Sequence, residues 1–571
     1  MTSTEPRGDD VEGGVAAMDR AWQASLGRLT GGISPWTLPR AWSNWVEQLS
    51  LSPFRASEIA LDAVRRGLLA SASLAGAGGI EPAPDDHRFD HPAWRGMALR
   101  PLVQSFLHAE AWARNAVKVD GLPTFDRRVL AFAARQWLDM VAPSNFPSLN
   151  PEVVAKTIAT GGGNLLAGWQ RLVEGRGRRS RAGGSAFRPG VNVAVTPGKV
   201  VARNPLMELI QYAPATATVR PEPVLIVPAW ILKYYVLDLS PANSLVRWLV
   251  AQGFTVFMIS WRNPGPEMAD TAFDDYRTQG FLEALRAVEQ ITGCARVHAV
   301  GYCLGGTLLA IASAVLGRHP PSRLASVTLF AGQTDFTEAG ELQLAIGEAE
   351  LAFLEALTAD QGVLEAGQMS SVFKLLRARD LIWSRLVRSV LLAEDEEPTD
   401  LMAWSEDGTR LPARMHREYL RQLFLSNDLA EGRLMADGAP VALADIGVPL
   451  FAVGTLADHI APWRSVYKIN LFHRGDVTFV LTSGGHNAGI LSPPGHPRRQ
   501  YRMATRRSGD PYVGPDQFLA QAAVVPGSWW PAWGAWLGGL SGLPVPPPPL
   551  GCAERGWPPL ADAPGSYVLE D

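Results

Sequence analysis

Residues 296–317 read RVHAVGYCLGGTLLAIASAVLG, and this stretch decides the fold. A short apolar run at 296–300 ends in Gly301-Tyr302-Cys303-Leu304-Gly305-Gly306, and a helical pattern follows over 307–316. Gly-x-Cys-x-Gly between a buried strand and a helix is a nucleophile elbow with cysteine in the place usually taken by serine. The geometry explains the residue types. The nucleophile occupies a strained turn, so small residues two before and two after it let strand and helix approach. The helix N-terminus then turns unpaired N–H groups and positive potential toward the thiol, the setting that activates a cysteine. The N–H of Leu304 is one expected oxyanion donor. The nineteen residues 299–317 carry no charge, close to the length of a membrane span, but Gly301, Gly305 and Gly306 break helix continuity. The uncharged stretch 517–553 is interrupted by Pro526, Pro531, Pro544 and the run 546–549, so no transmembrane segment is expected from either.

Outward from the elbow, five more apolar runs have the length and composition of buried strands: 224–227, 254–259, 324–330, 450–453 and 477–481. Helical patterns separate several of them, which predicts a mostly parallel sheet with helices on both faces. Chain order supplies a second test. In α/β-hydrolases the acid and the histidine follow the nucleophile, in loops after later strands. Asp458 lies just beyond the fifth run and His486 just beyond the sixth, in that order. His486 is expected to take the thiol proton, and Asp458 to orient and charge-stabilise the imidazole. The expected architecture is therefore an α/β-hydrolase fold. A large, mainly helical insertion at about 334–444 reads as a cap over the carboxyl edge of the sheet.

The remainder of the chain frames this core. Residues 1–15 are small, polar and acidic and are expected to be disordered, with no secretory signal pattern. Residues 16–190 read as a helical N-terminal domain closed by an exposed basic linker at 174–190, and 191–571 as the catalytic domain. With 52 basic and 56 acidic side chains the net charge is −4, which argues against nucleic acid as a partner. Three cysteines make no disulfide framework and suit a reducing cytoplasm. Cys294 reads as a small buried hydrophobe, Cys552 as incidental and His298 as packed within its strand, while His459 is a neighbour of Asp458 without an assigned role. No CxxC pair, HExxH or Walker-type loop appears, so neither a metal nor another cofactor is expected. Nineteen tryptophans include clusters at Trp22, Trp36, Trp42 and Trp45 and at Trp529, Trp530, Trp533 and Trp536. They read first as core and interdomain packing, although tryptophan also suits a surface that is apolar on one side and wet on the other.

Cysteine in place of serine hints at acyl transfer from a thioester. Sulfur-to-sulfur exchange keeps the acyl group activated, and an alcohol then captures it as a lower-energy oxoester. Transfer to an alcohol requires that water be excluded.

Taken together, Pro228-Ala229-Trp230-Ile231-Leu232-Lys233-Tyr234-Tyr235-Val236-Leu237-Asp238-Leu239, Ser260-Trp261-Arg262-Asn263-Pro264, the GYCLGGT elbow, Asp458-His459-Ile460-Ala461-Pro462-Trp463 and Ser483-Gly484-Gly485-His486-Asn487-Ala488-Gly489 resemble the polyhydroxyalkanoate (PHA) synthases, most closely the class I enzymes. Pro92-Ala93-Trp94, Pro143-Ser144-Asn145-Phe146-Pro147 and Gly527-Ser528-Trp529-Trp530-Pro531 extend the match from about residue 85 to the C-terminal region. The resemblance implies an acyltransferase that polymerises (R)-3-hydroxyacyl-CoA into polyester and releases CoA. It implies that Cys303 carries the growing chain, with His486 as base and Asp458 completing the triad. The second oxyanion donor would come from the loop after the first apolar run, near Trp230 or Ile231, and is assigned to Ile231. A homodimer, a place at the surface of cytoplasmic PHA granules and a cap that opens and closes are further implications. Two departures from the class I pattern, Trp404-Ser405-Glu406-Asp407 and Ser384 after Asp380-Leu381-Ile382-Trp383, lie in the cap and bear on substrate length and dimer contacts. A thioesterase or depolymerase with the same triad, or a granule-coating protein without catalysis, are the competing readings.

Overall fold

The computed structural model describes residues 22, 34–73, 79–83, 86–178, 186–376, 379–395 and 397–571. The stretch 1–15, expected to be disordered, and the centre of the basic linker, 179–185, lie outside the described residues. The chain divides into two units. One holds Thr30–Gly184 together with Ser371–Glu397, and the other holds Ser185–Ser370 with Pro398–Asp571.

The first unit is helical, as the periodicity predicts: α1 (Thr37–Ser50), α2 (Pro53–Ala72), α3 (Arg100–Ala116), α4 (Thr124–Met140), α5 (Pro151–Ala159) and α6 (Gly163–Arg178). Several starts carry local signals. Proline stands in the first turn of α2, α3 and α5, where no N–H is needed. The Asn150 side chain accepts from Glu152 N at 3.0 Å to cap α5. Phe89 packs edge-on against Trp94 and Phe106 in the core, with centroids 5.2 and 5.8 Å apart. Beside them the buried Arg88 guanidinium pairs with Asp86 (2.7 Å), Glu110 (2.8 Å) and Asp139 (3.0 Å), and Arg379 also reaches Asp139 at 3.1 Å. Arg379 belongs to the second segment of this unit. Asn164 donates to Leu391 O at 2.7 Å, and Gly168 lies so close to Val390 that a β-carbon there would sit 1.7 Å from its carbonyl oxygen. The region 334–444 is thus divided, with 371–397 grouped with the helical unit and the remainder with the sheet.

The second unit is built on eleven strands: β1 (Gly198–Arg203), β2 (Met207–Tyr212), β3 (Val224–Val227), β4 (Val256–Trp261), β5 (Val297–Tyr302), β6 (Leu324–Phe330), β7 (Leu450–Thr455), β8 (Val477–Thr482), β9 (Gln500–Arg506), β10 (Val524–Pro526) and β11 (Ala561–Asp562). Their spatial order is β10-β9-β8-β7-β6-β5-β3-β4-β2-β1-β11. The six apolar runs seen in the sequence become the six contiguous strands β4-β3-β5-β6-β7-β8, all parallel. Every residue of β3, β4, β5 and β6 is buried, as expected for strands covered on both faces. Antiparallel β2 and β1 extend one edge, and β9 and β10 the other. Covering helices include α7 (Leu245–Ala251), capped by the Ser244 hydroxyl, α8 (Glu283–Thr292) and α9 (Leu304–Gly317).

Helix α10 (Trp530–Gly539) accounts for the C-terminal tryptophans. Trp529 and Trp533 flank Phe330 at the end of β6, 5.1 and 5.0 Å between ring centroids. Their indole N–H groups are satisfied by Gly489 O (3.1 Å) and Thr328 Oγ1 (3.1 Å), and that of Trp530 by Ile490 O (2.9 Å). These rings are core. Trp36 and Trp42, in contrast, are 71% and 57% exposed in the helical unit. Among the described residues no helix is long and apolar enough to cross a membrane.

Candidate active site

The junction of β5 and α9 sets the nucleophile. Cys303 has φ +54° and ψ −118°, a conformation that non-glycine residues rarely adopt and that costs about 1–3 kcal/mol. The surroundings hold it there. Cys303 N donates to Phe330 O at 2.8 Å, and the Cys303 carbonyl accepts from Gly306 N at 2.9 Å. The two flanking glycines are required by close approach. A β-carbon on Gly301 would lie 2.5 Å from Gly306 Cα, and one on Gly305 would lie 2.1 Å from Val227 O. The elbow therefore presses directly on the end of β3.

Asp458 follows β7 in a turn that saturates its carboxylate. Oδ1 accepts from the backbone N–H groups of Ile460 and Ala461, both at 2.9 Å, and Oδ2 accepts from Thr455 Oγ1 at 2.8 Å. Oδ2 also meets His486 Nδ1 at 2.8 Å, which leaves the other ring nitrogen free to face the elbow. The loop that carries His486 leaves β8 through Gly484, whose φ of +106° needs glycine. Both side chains are enclosed, Asp458 completely. Burial raises the Asp458 carboxyl, but the His486 charge and the hydrogen bonds outweigh it and hold Asp458 below the usual carboxylate range. Burial likewise opposes a charged His486, yet Asp458 and Cys303, through charge and hydrogen bonding, hold it well above the ordinary imidazole value. Cysteine, histidine and aspartate, distant in sequence, thus form one electrostatic chain. This arrangement can hold an imidazolium beside a thiolate and move a proton between sulfur and a second atom.

Leu304 is the first residue of α9, so its N–H has no intrahelical acceptor. Ile231 lies on the loop that leaves β3, the strand end touched by Gly305. That loop is held from the cap side. Thr409 N donates to Ile231 O at 3.2 Å, Trp404 Nε1 to Lys233 O at 2.7 Å, and Tyr235 OH to Asp407 Oδ2 at 2.9 Å. Beneath it, Trp261 Nε1 donates to Pro228 O at 2.9 Å. Tyr419, from the cap helix Ala413–Tyr419, has its hydroxyl pushed well above the ordinary value by burial and, to a lesser extent, by the Cys303 charge.

Sequence reasoning did not single out Tyr419, Thr409 or the contact between Tyr302 and Asn487. No spacing relates Tyr419 or Thr409 to the triad, because only the folded cap brings them in; Tyr302 and Asn487 adjoin Cys303 and His486 in the chain, but only the fold brings the two segments together. The other candidates lie elsewhere. His298 is buried in β5 between Ser326 Oγ (2.7 Å) and Ser541 Oγ (3.0 Å), a packed histidine. Cys294 is partly buried, and burial pushes its thiol up. His459 is exposed, and Cys552 is partly buried in the C-terminal region. Among the described residues no group of three or more His, Cys, Asp or Glu side chains could hold a metal ion.

Comparison with known proteins gives consistent matches along the chain. A family model described as poly-beta-hydroxybutyrate polymerase N-terminus matches residues 85–249, and one described as poly-beta-hydroxybutyrate polymerase N terminal matches 13–55. The alpha/beta hydrolase fold model matches 221–493. A poly(3-hydroxyalkanoate) polymerase of Methylorubrum extorquens is 41% identical over 498 residues, which is 86% of this chain and 81% of the relative. Poly(3-hydroxyalkanoate) polymerase subunits PhaC are 39% identical in Rhizobium meliloti, covering 85% of this chain and 79% of the relative, and 37% identical in Cupriavidus necator, covering 85% and 83%.

Proposed function

The chain belongs to the poly(3-hydroxyalkanoate) polymerase family of acyltransferase-type enzymes, and from that premise we propose that it polymerises (R)-3-hydroxyacyl-CoA by covalent catalysis at Cys303. The observation that carries this reading is the strained Cys303 at the head of α9, set in one charge-linked group with His486 and Asp458. The Cys303 thiolate attacks the thioester carbon of the substrate. The bond to the CoA sulfur breaks, and the departing thiolate takes the proton from the His486 imidazolium, leaving the acyl group on Cys303. His486, now neutral, then removes the proton from the hydroxyl of another hydroxyacyl group. That oxygen attacks the acyl-cysteine, an oxoester forms, and the cysteine thiolate and imidazolium are restored. Asp458 keeps Nδ1 protonated, so the second ring nitrogen handles every transfer.

The N–H groups of Leu304 and Ile231 are the donors we assign to the oxyanion. No cofactor takes part, since thiol, imidazole and carboxylate supply the whole chemistry. The apolar cap around Tyr419 and Phe424 keeps water from the acyl-cysteine, which favours transfer to an alcohol over hydrolysis. We place the enzyme as a homodimer on the surface of cytoplasmic polyester granules. The exposed Trp36, Trp42 and Phe54 of the helical unit support an apolar partner surface of that kind.

The test is turnover of purified protein with (R)-3-hydroxybutyryl-CoA, following CoA release and the acyl product together. Polymer with CoA release, both absent in Cys303→Ala, is the expected result. Free hydroxy acid as the sole acyl product would replace this reading with a thioesterase. CoA release by Cys303→Ala at the parent rate would remove Cys303 from the mechanism.

A further inference from the structure

We infer that Tyr302 and Asn487 act as a pair of positioning residues that fasten the histidine loop to the nucleophile elbow, an inference that rests on Cys303 and His486 being the catalytic pair. Each is the chain neighbour of one catalytic residue. Tyr302 precedes Cys303 as the last residue of β5, and Asn487 follows His486. The Tyr302 hydroxyl donates to Asn487 Oδ1, so one hydrogen bond joins the two peptide segments that carry sulfur and imidazole.

The physical need for such a tie follows from the geometry around it. Tyr302 sits in the central parallel strands, opposite Phe330 of β6, with its side chain buried. Its position is therefore fixed by the core. The loop after β8 is irregular, and apart from the sulfur it serves His486 is anchored there through one ring atom, the 2.8 Å contact of Nδ1 with Asp458. A ring held at one atom can still pivot, and the pivot moves the opposite nitrogen relative to sulfur. The tie supplies a second anchor one residue away. The Asn487 backbone carbonyl accepts from Ile490 N (3.1 Å) and Leu491 N (2.9 Å), so its main chain is already part of a closed turn. Pinning its side chain to β5 completes the constraint. The Tyr302 ring also lies 5.7 Å from the imidazole centroid at a tilt of 39°, forming a wall on one side of it. Phenylalanine would fill the same volume, so the hydroxyl is there for the hydrogen bond. Neither side chain handles a proton of the reaction, and their effect is exerted through His486.

The experiment compares parent, Tyr302→Phe, Asn487→Ala, the double variant and His486→Gln, each as the full chain. Two readouts are taken: kcat and KM for CoA release from (R)-3-hydroxybutyryl-CoA, and the rate at which iodoacetamide alkylates Cys303, located by peptide mass. Small misplacement of reacting groups costs up to about a hundredfold. We expect kcat to fall about tenfold in each single variant with KM within about twofold. Alkylation should slow in parallel, and the double variant should be no worse than the poorer single one. Parent kcat and alkylation rate in both single variants would overturn the inference, as would losses that multiply in the double variant. If His486→Gln leaves the alkylation rate of Cys303 unchanged, the catalytic pairing itself fails, and this inference with it. Asn487→Ala, in a partly exposed loop, decides the matter alone should Tyr302→Phe not fold.

Discussion

Replacing Asp458 by asparagine changes one atom and inverts the logic of the site. The amide carbonyl can still take the two backbone N–H bonds from Ile460 and Ala461 at 2.9 Å, so the turn after β7 keeps its shape. The amide nitrogen then faces Thr455 Oγ1, which can rotate to accept, and His486 Nδ1, which can accept only if the ring proton moves to the other nitrogen. Two losses follow. The charge-assisted bond to the imidazolium disappears, worth about 1.5–3 kcal/mol, or roughly 10- to 150-fold in rate. The preferred neutral tautomer then presents a proton, where a lone pair is needed, to the group being deprotonated. The corresponding carboxylate-to-amide change in a serine protease triad costs about 10⁴-fold. We therefore expect kcat for CoA release from (R)-3-hydroxybutyryl-CoA to fall between about 10² and 10⁴, with circular dichroism unchanged. The pH sign is also fixed. Asp458 and Cys303 hold His486 above its ordinary value, so removing the Asp458 charge lowers the pH at which the imidazolium is lost. Residual activity should accordingly decline at a lower pH than in the parent. A folded Asp458→Asn protein within threefold of parent turnover would refute the role given to Asp458.

Other expectations follow from the packing. Gly305→Ala places a methyl group 2.1 Å from Val227 O, in backbone that cannot yield, and should abolish soluble folded protein or all turnover; Gly367→Ala, with nothing within 4 Å, should match the parent in expression and melting temperature. In the helical unit, Asp86→Ala removes one of three carboxylates around the buried Arg88 and should destabilise the protein by about 1.5–3 kcal/mol in a urea titration. Burial raises the Asp86 carboxyl, but Arg88 outweighs it and holds Asp86 below its ordinary value of 3.8. Its contribution is thus present above that value and lost as pH falls through the folded one, so the gap between parent and variant should close only in strong acid.

The central sheet was legible because its strands are buried on both faces and are dominated by apolar side chains over four to seven residues, with only isolated polar ones such as His298 and Thr328. The edges were not. β9, with the sequence QYRMATR, has only exposed or half-exposed side chains and mixes arginines with polar and apolar residues, and β11 is two residues long. Their pairing is decided by the neighbouring strand, not by their own pattern. The positions of Cys303, Asp458 and His486 could be read because each stands just beyond the carboxyl end of a recognisable strand. Tyr419 and Thr409 could not, since the cap brings them in from more than a hundred residues away. Nor does any local signal show that 371–397 groups with the helical unit. That depends on Gly168 admitting the Val390 backbone and on Asn164 finding Leu391 O.

The grip of residues 404–409 on the loop that leaves β3 has a consequence for how such proteins can be recombined. The same stretch of cap runs directly into Leu411–Pro412, which pairs with Val363–Leu364 on the far side of the insertion. A chimaera that exchanged the whole insertion for that of a relative would therefore import a foreign clamp on Ile231 and Lys233 along with the new lining. The portable module is smaller than the insertion, and grafts should be cut so that Trp404, Asp407 and Thr409 travel with the sheet they hold.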